Sequence, residues 1–169
     1  LERACHKIQI SGSIRRERPD VGDIEMLCVP RVGVTTPGFL PGLTGTSDLL
    51  TERIRAAVVK GVLALRPNAK GSFAFGPLNK FLVHVDSGMP VDIFSATAEN
   101  FGMALVVRTG PALYCVKVMS RLMALGYRGH AYGGISLADG REVECPTEET
   151  VYQWLQWPWV EPSDRDGEK

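Results

Sequence analysis

The stretch Gly12 to Leu27, GSIRRERPDVGDIEML, constrains this chain more than any other. It follows Ile8-Gln9-Ile10, which has the make-up of a short strand, and Gly12-Ser13 predicts a tight turn with exposed backbone N–H groups. Ile24 to Val29 predicts a second strand. Side chains alternate along a strand, so Asp23 and Glu25 face one side while Ile24 and Met26 face the other. Two neighbouring carboxylates repel unless a cation lies between them. Mg²⁺ suits such a pair, because it is hard, octahedral and commonly shared between carboxylates and phosphates. The plain alternative is a turn and a strand with a solvated acidic edge, and the later segments argue against it.

The chain has 169 residues, 44% of them hydrophobic, enough for one ordinary domain or two small subdomains sharing a core. Pro30 to Thr46 is rich in Pro and Gly and predicts a long surface loop. Ser47 or Asp48 caps a helix whose apolar positions Leu49, Leu50, Ile54, Ala57 and Val58 recur at helical spacing, and Gly61 ends it. Arg53, Arg55 and Lys60 fall on its other faces as a solvated surface. Arg66 to Leu78 predicts a loop with one short strand at Ser72 to Phe75. Lys80–Asp86 and Met89–Ala96 flank Ser87-Gly88 as a hairpin. Its second arm carries Asp92 between Val91 and Ile93, on the face opposite the one they bury.

Thr97 caps a short helix over Ala98–Val107. Arg108-Thr109-Gly110 then precedes a longer helix with Pro111 at its first position, closed by Gly126. Tyr132 to Val143, turning at Asp139-Gly140, predicts a small hairpin. Pro146-Thr147-Glu148-Glu149 starts a last helix, with a capping Thr and acids at its positive end. Strands paired by hairpins and helices in separate runs define an α+β chain.

Several classes are excluded or disfavoured. No apolar run is long enough to span a bilayer. The segment LERACHKIQI lacks the pattern of a secretion signal. Cys5, Cys28, Cys115 and Cys145 have no metal-ligand spacing, so free thiols in a reducing, cytoplasm-like setting are expected. The net charge is zero, whereas strong nucleic-acid binders usually carry a basic excess. Weak, distributive binding with a shallow salt dependence is the expectation.

The motifs resemble DNA polymerase family X, within the polymerase-beta-like nucleotidyltransferase superfamily. G-S-x-R-R followed by G-D-I-E-x-L is similar to its nucleotidyltransferase signature. V-D-I-F at residues 91–94 resembles the motif of its third catalytic carboxylate. R-T-G at residues 108–110 resembles the turn joining palm to thumb, and E-P-x-x-R at residues 161–165 resembles its C-terminal ending. The resemblance spans Ile8 to Arg165 and implies a palm with a mixed sheet over residues 1–98 and a small thumb over residues 99–169. The fingers, the lyase helices and a helix-hairpin-helix motif are missing, as in reduced viral forms, which would place the protein in a host cytoplasm or virion.

The resemblance also implies roles. Asp23 and Glu25 bridge two Mg²⁺ ions, with Mn²⁺ able to substitute, and Asp92 ligates the ion at the primer hydroxyl. Gly12, Ser13 and Arg16 bind the triphosphate, Gly22 lets it approach, and Thr109 and Gly110 lie near the nucleotide. Arg15 and Arg18 are expected at the surface or facing DNA. The implied partners are primer-template or gapped DNA and a nucleoside triphosphate, with no membrane and with room for a helper protein that supplies DNA affinity.

Five positions depart from the family pattern. Glu25 stands where Asp is commonest. Val107 and Arg108 replace an aromatic pair that crowds the sugar. Ala112 and Cys115 replace an Asp and an Asn near the base. Two rivals accompany the polymerase reading: a template-independent or RNA- or small-molecule-modifying nucleotidyltransferase, and a binding module that keeps the fold without catalysis.

Overall fold

The computed structural model describes residues 1–35, 45–68 and 70–165. Strand β1 (Cys5–Ile10) leads into a one-turn helix α1 (Gly12–Arg15), and β2 (Ile24–Pro30) returns antiparallel to β1. A two-stranded ribbon of β3 (Val32–Thr35) and β4 (Gly45–Asp48) precedes helix α2 (Leu49–Val59). Then come β5 (Leu63–Leu65), β6 (Asn79–His84) and β7 (Pro90–Ser95). The five long-range-paired strands form one mixed sheet in the order β1-β2-β7-β6-β5, in which only β2 and β7 run parallel.

The alternation expected of β2 is what splits the core. Ile24, Met26 and Cys28 join Val91, Ile93, Leu82, Leu50 and Ile54 on the α2 side of the sheet. Leu27 and Val29 join Phe94 and Ala96 on the other side. There they pack against helix α3 (Phe101–Thr109), through Phe101, Ala104 and Leu105. The opposite face of α3, Met103 and Val106, belongs to a separate cluster with α4 (Ala112–Ala124) and α5 (Glu148–Leu155). A small sheet of β8 (Arg128–Gly129), β9 (Ile135–Ser136) and β10 (Glu142–Val143) completes that half. One helix therefore serves two cores. Its closest approach is at Gly102, where a Cβ would collide with the backbone carbonyl of Thr147.

Caps read from the sequence recur in the structure. Asp48 accepts from the backbone N–H groups of Leu50 and Thr51 at 2.8 and 3.2 Å. Its other oxygen lies 3.7 Å from the ammonium of Lys80, a fully buried side chain that also donates to the Gly76 carbonyl at 3.0 Å. Burial pushes the Lys80 pKa down. Gly61 takes a positive φ of 71° after the C-cap of α2. Thr147 caps α5 by accepting from Thr150 N–H at 3.3 Å. The Ser87-Gly88 and Asp139-Gly140 hairpins are present.

Four local expectations are corrected. The segment from Pro30 to Thr46 is not all loop, since β3 and β4 pair within it. The β-branched residues Val32, Val34 and Thr46 sit in the ribbon's two arms, and the Pro and Gly breakers are concentrated between them. The remainder of that expectation, residues 36–44, lies outside the described residues. Ser72 to Phe75 is no strand, only two isolated bridges, Pro67 to Phe73 and Phe75 to Lys80. Helix α3 starts at Phe101 rather than Ala98, because Glu99 C=O and Gly102 N–H are engaged by the backbone of Cys145 at 2.7 and 2.8 Å. Pro111 is the N-cap of α4, extended at ψ 161°, so the helix begins one residue later. Among the described residues, no helix is long and apolar enough to cross a membrane.

Candidate active site at the ends of the parallel strands

The parallel ladder sets Glu25 directly opposite Asp92, just as it pairs Ile24 with Val91 and Leu27 with Phe94. Both carboxylates therefore lie on the α3 side of the sheet, near the start of their strands. Asp23 is two residues back on the same face. It reaches both in effect, since its charge raises the pKa of Glu25 and of Asp92. Among the described residues, no three acidic, histidine or cysteine side chains already converge on one point. What the fold brings together is a facing pair with a third acid beside it.

Glu25 is pushed up to about 7, first by burial and then by Asp23, with Arg108 and Arg16 pulling the other way. Its carboxylate lies against the Gly12 turn. Gly12 has a φ of 63°, and a Cβ there would overlap the Glu25 carboxyl group. The glycine is thus required twice, by its backbone and by the acid it faces. Next to it, the hydroxyls of Ser11 and Ser13 and the Nε of Arg16 are buried and have no partner within the protein. Unpaired buried donors are uncommon and costly. A cluster of three at one turn fits an anion with several acceptor oxygens. At Gly22 an added Cβ would meet nothing within 4 Å, so any close approach there concerns a ligand rather than the protein's own packing.

Asp92 is held by a residue that the sequence pattern does not single out. Arg66 Nη2 lies 2.5 Å from Asp92 Oδ1, and Arg66 Nε donates to Leu82 C=O at 3.3 Å. Burial raises the Asp92 pKa, and the Arg66 hydrogen bond opposes it. The arginine lies in a Pro- and Gly-rich segment 26 residues upstream of its partner, where only the antiparallel register of β5, β6 and β7 brings it near. If Asp92 is the metal ligand that the family resemblance implies, replacing Arg66 by methionine is expected to lower turnover about 10- to 100-fold, the usual effect of losing a partner that orients a ligand. The nucleotide KM should change by less than about threefold, and Arg66→Lys should recover part of the rate. A loss confined to the urea midpoint, with turnover of the folded fraction unchanged, would reduce Arg66 to a structural role.

Arg15 is not a free surface charge: it is part-buried and its guanidinium is engaged within the chain. It donates to Glu148 at 2.9 and 2.5 Å and to Thr109 Oγ1 at 2.7 Å. Arg16 donates to the Thr109 carbonyl. Thr109 is fully buried and both its oxygens are taken by these arginines. It therefore fixes the side chains of Arg15, at the end of α1, and Arg16, its C-cap, to the last turn of α3. The remaining acceptor of the network is shared with Arg165, which donates to Glu148 at 2.6 Å.

Val107 packs against the α4–α5 cluster. Beyond Gly110 an open groove of about 900 Å³ runs between α4 and β8. Its lining is largely apolar, with Val116, Met119, Met123 and Tyr127, and includes the polar Ser120, Arg128 and His130. Val116 and Met123 are 60% and 71% exposed, an apolar surface that calls for a partner.

The chain is a mixed α and β protein whose five-stranded sheet sets a facing carboxylate pair beside a turn with unpartnered buried donors. The family profile described as DNA polymerase beta thumb matches residues 104–166, from within α3 to just past Arg165. The match supports a relationship to family X-like DNA polymerases, and it implies DNA binding. It is consistent with a nucleotidyltransferase. No curated protein matches the chain.

Proposed function

We propose that the chain is a nucleotidyltransferase of the DNA polymerase family X type, which adds nucleotides to a primer 3′ end and suits short gaps. Residues 1–98 act as palm and residues 99–169 as thumb. The observation that carries the reading is the register that sets Glu25 opposite Asp92 beside the Gly12 turn, in a chain whose residues 104–166 match a polymerase beta thumb.

Asp23, Glu25 and Asp92 form an all-oxygen donor set, which suits hard divalent ions. They would hold two Mg²⁺ ions, which when bound neutralise the leaving pyrophosphate and acidify the attacking hydroxyl. The chain's own residues do the rest. Gly12 leaves room for the Glu25 carboxylate. Ser11, Ser13 and Arg16 offer their unpartnered donors to the triphosphate oxygens. Arg66 orients Asp92 toward the primer hydroxyl. Thr109, held by Arg15 and Arg16, ties the phosphate-binding turn to the thumb.

One observation favours a second reading, template-independent addition. Cys115, Val116 and Met119, on the α4 side of the groove next to Gly110, offer none of the donors and acceptors that read a base pair. Primer extension separates the two. On gapped DNA with each dNTP alone, template-dictated choice supports the first reading, and equal use of all four on single strands supports the second. Absence of extension on every substrate, with folded protein and Mg²⁺ or Mn²⁺ present, rejects both.

A further inference from the structure

The guanidinium of Arg108 lies 3.7 Å from the ring centroid of Phe94 and 5.3 Å from that of Tyr132. It is a cation placed between two aromatic rings, an arrangement that holds a guanidinium in place while leaving its N–H groups free. Phe94 is two residues beyond Asp92 on β7, so the two side chains share a face about 7 Å apart along the strand. Leu27, paired with Phe94, is likewise two residues beyond Glu25. Arg108 therefore stands over the same sheet face as both carboxylates, one side-chain spacing away. Its charge acts on both: it is among the groups that lower the pKa of Glu25 and of Asp92. Tyr132 is itself anchored, its hydroxyl accepting from Asn79 Nδ2 at 3.1 Å.

We propose that Arg108, held by Phe94 and Tyr132, is a resident counter-cation of the Glu25–Asp92 pair beside the Arg66 that pairs with Asp92, and that it makes the site take up divalent metal together with nucleotide rather than alone. The inference rests on the metal-dependent reading above. A fixed positive charge within several ångströms repels a free divalent ion. It does not repel the complex of that ion with a triphosphate, whose net charge is negative. The arginine thus weakens binding of the bare metal and leaves the metal–nucleotide complex little affected or favoured. Arg108 acts through the carboxylates and is a positioning residue.

The test is Mn²⁺ binding to the full chain, followed by paramagnetic resonance of the free ion, with and without a non-hydrolysable nucleoside triphosphate. Arg108→Met is expected to tighten binding of free Mn²⁺ at least about tenfold and to change binding of the Mn²⁺–nucleotide complex by less than about threefold. Arg108→Lys keeps the charge, and its free Mn²⁺ affinity should stay within about threefold of the parent. It also serves should the methionine variant fail to fold, because a tenfold gain in the lysine variant overturns the inference. Unchanged free Mn²⁺ affinity in Arg108→Met overturns it as well. An Asp92→Asn control separates the two levels: if Mn²⁺ binding survives it unaltered, the metal site itself has been misassigned and the inference falls with it.

Discussion

Asp92→Asn is expected to lower nucleotidyl transfer by at least about a hundredfold while leaving nucleotide affinity within about threefold of the parent. The split follows from the geometry. Glu25 lies against the Gly12 turn, where the unpartnered Ser13 and Arg16 donors sit, so the triphosphate end of the site does not depend on Asp92. Asp92 lies across the ladder, toward Arg66 and away from that turn. In the proposed reaction it serves the attacking hydroxyl. A hundredfold loss corresponds to roughly 3 kcal/mol of barrier, which is modest for a group that activates the nucleophile. The substitution is nearly isosteric and removes a charge that burial already disfavours, so the fold should tolerate it. The measurement pairs single-nucleotide turnover with nucleotide affinity in Ca²⁺. Activity above about one-hundredth of the parent would end the assignment of Asp92. Loss of nucleotide affinity alongside turnover would instead place Asp92 at the triphosphate.

Much of the site was readable because its signals are local. Alternation along Ile24–Val29 put Ile24 and Met26 on the face opposite Leu27 and Val29, and the two cores of the sheet bear that out. Caps and glycine turns depend on residues a few positions apart, and Asp48, Gly61, Thr147 and Gly126 stand where local chemistry puts them. What escaped depends on distant partners. Arg15 looked like a surface charge because nothing near it in the chain is acidic in a pairing position. Its partner Glu148 is 133 residues away. Arg66 was hidden in a loop-like segment for the same reason. The start of α3 was misplaced because the backbone of Cys145, far along the chain, takes the hydrogen bonds that an earlier first turn would use. Composition misled in one place: Pro and Gly dominate residues 30–46, yet the β-branched residues at the two ends suffice for a ribbon.

Glu148→Gln is expected to destabilise the chain by about 3–5 kcal/mol, the range for removing one partner from a buried ion pair. Glu148 is 4% exposed and carries the charge that two arginines share. Arg165 is fully buried, one of its terminal nitrogens already lacks a partner, and its guanidinium is ringed by Tyr114, Tyr152 and Trp159 at 5.9, 5.5 and 5.2 Å. Those rings attract a cation, but they cannot replace a carboxylate that accepts hydrogen bonds from both sides. Arg15→Met should cost less, since the Arg165–Glu148 pair survives it. Because the network is buried, the difference between parent and Glu148→Gln should persist in about 0.5 M salt, where an exposed pair would be screened. The effect also reaches the site. Glu148 fixes Arg15, and Arg15 and Arg16 together grip Thr109. Loosening that grip should raise the nucleotide KM more than it lowers kcat. Urea unfolding of parent and variants at two salt concentrations, with KM measured on the folded variants, checks both parts. A stability loss below about 1 kcal/mol, or one that vanishes in high salt, would show that the two halves of the chain are joined by the α3 packing alone.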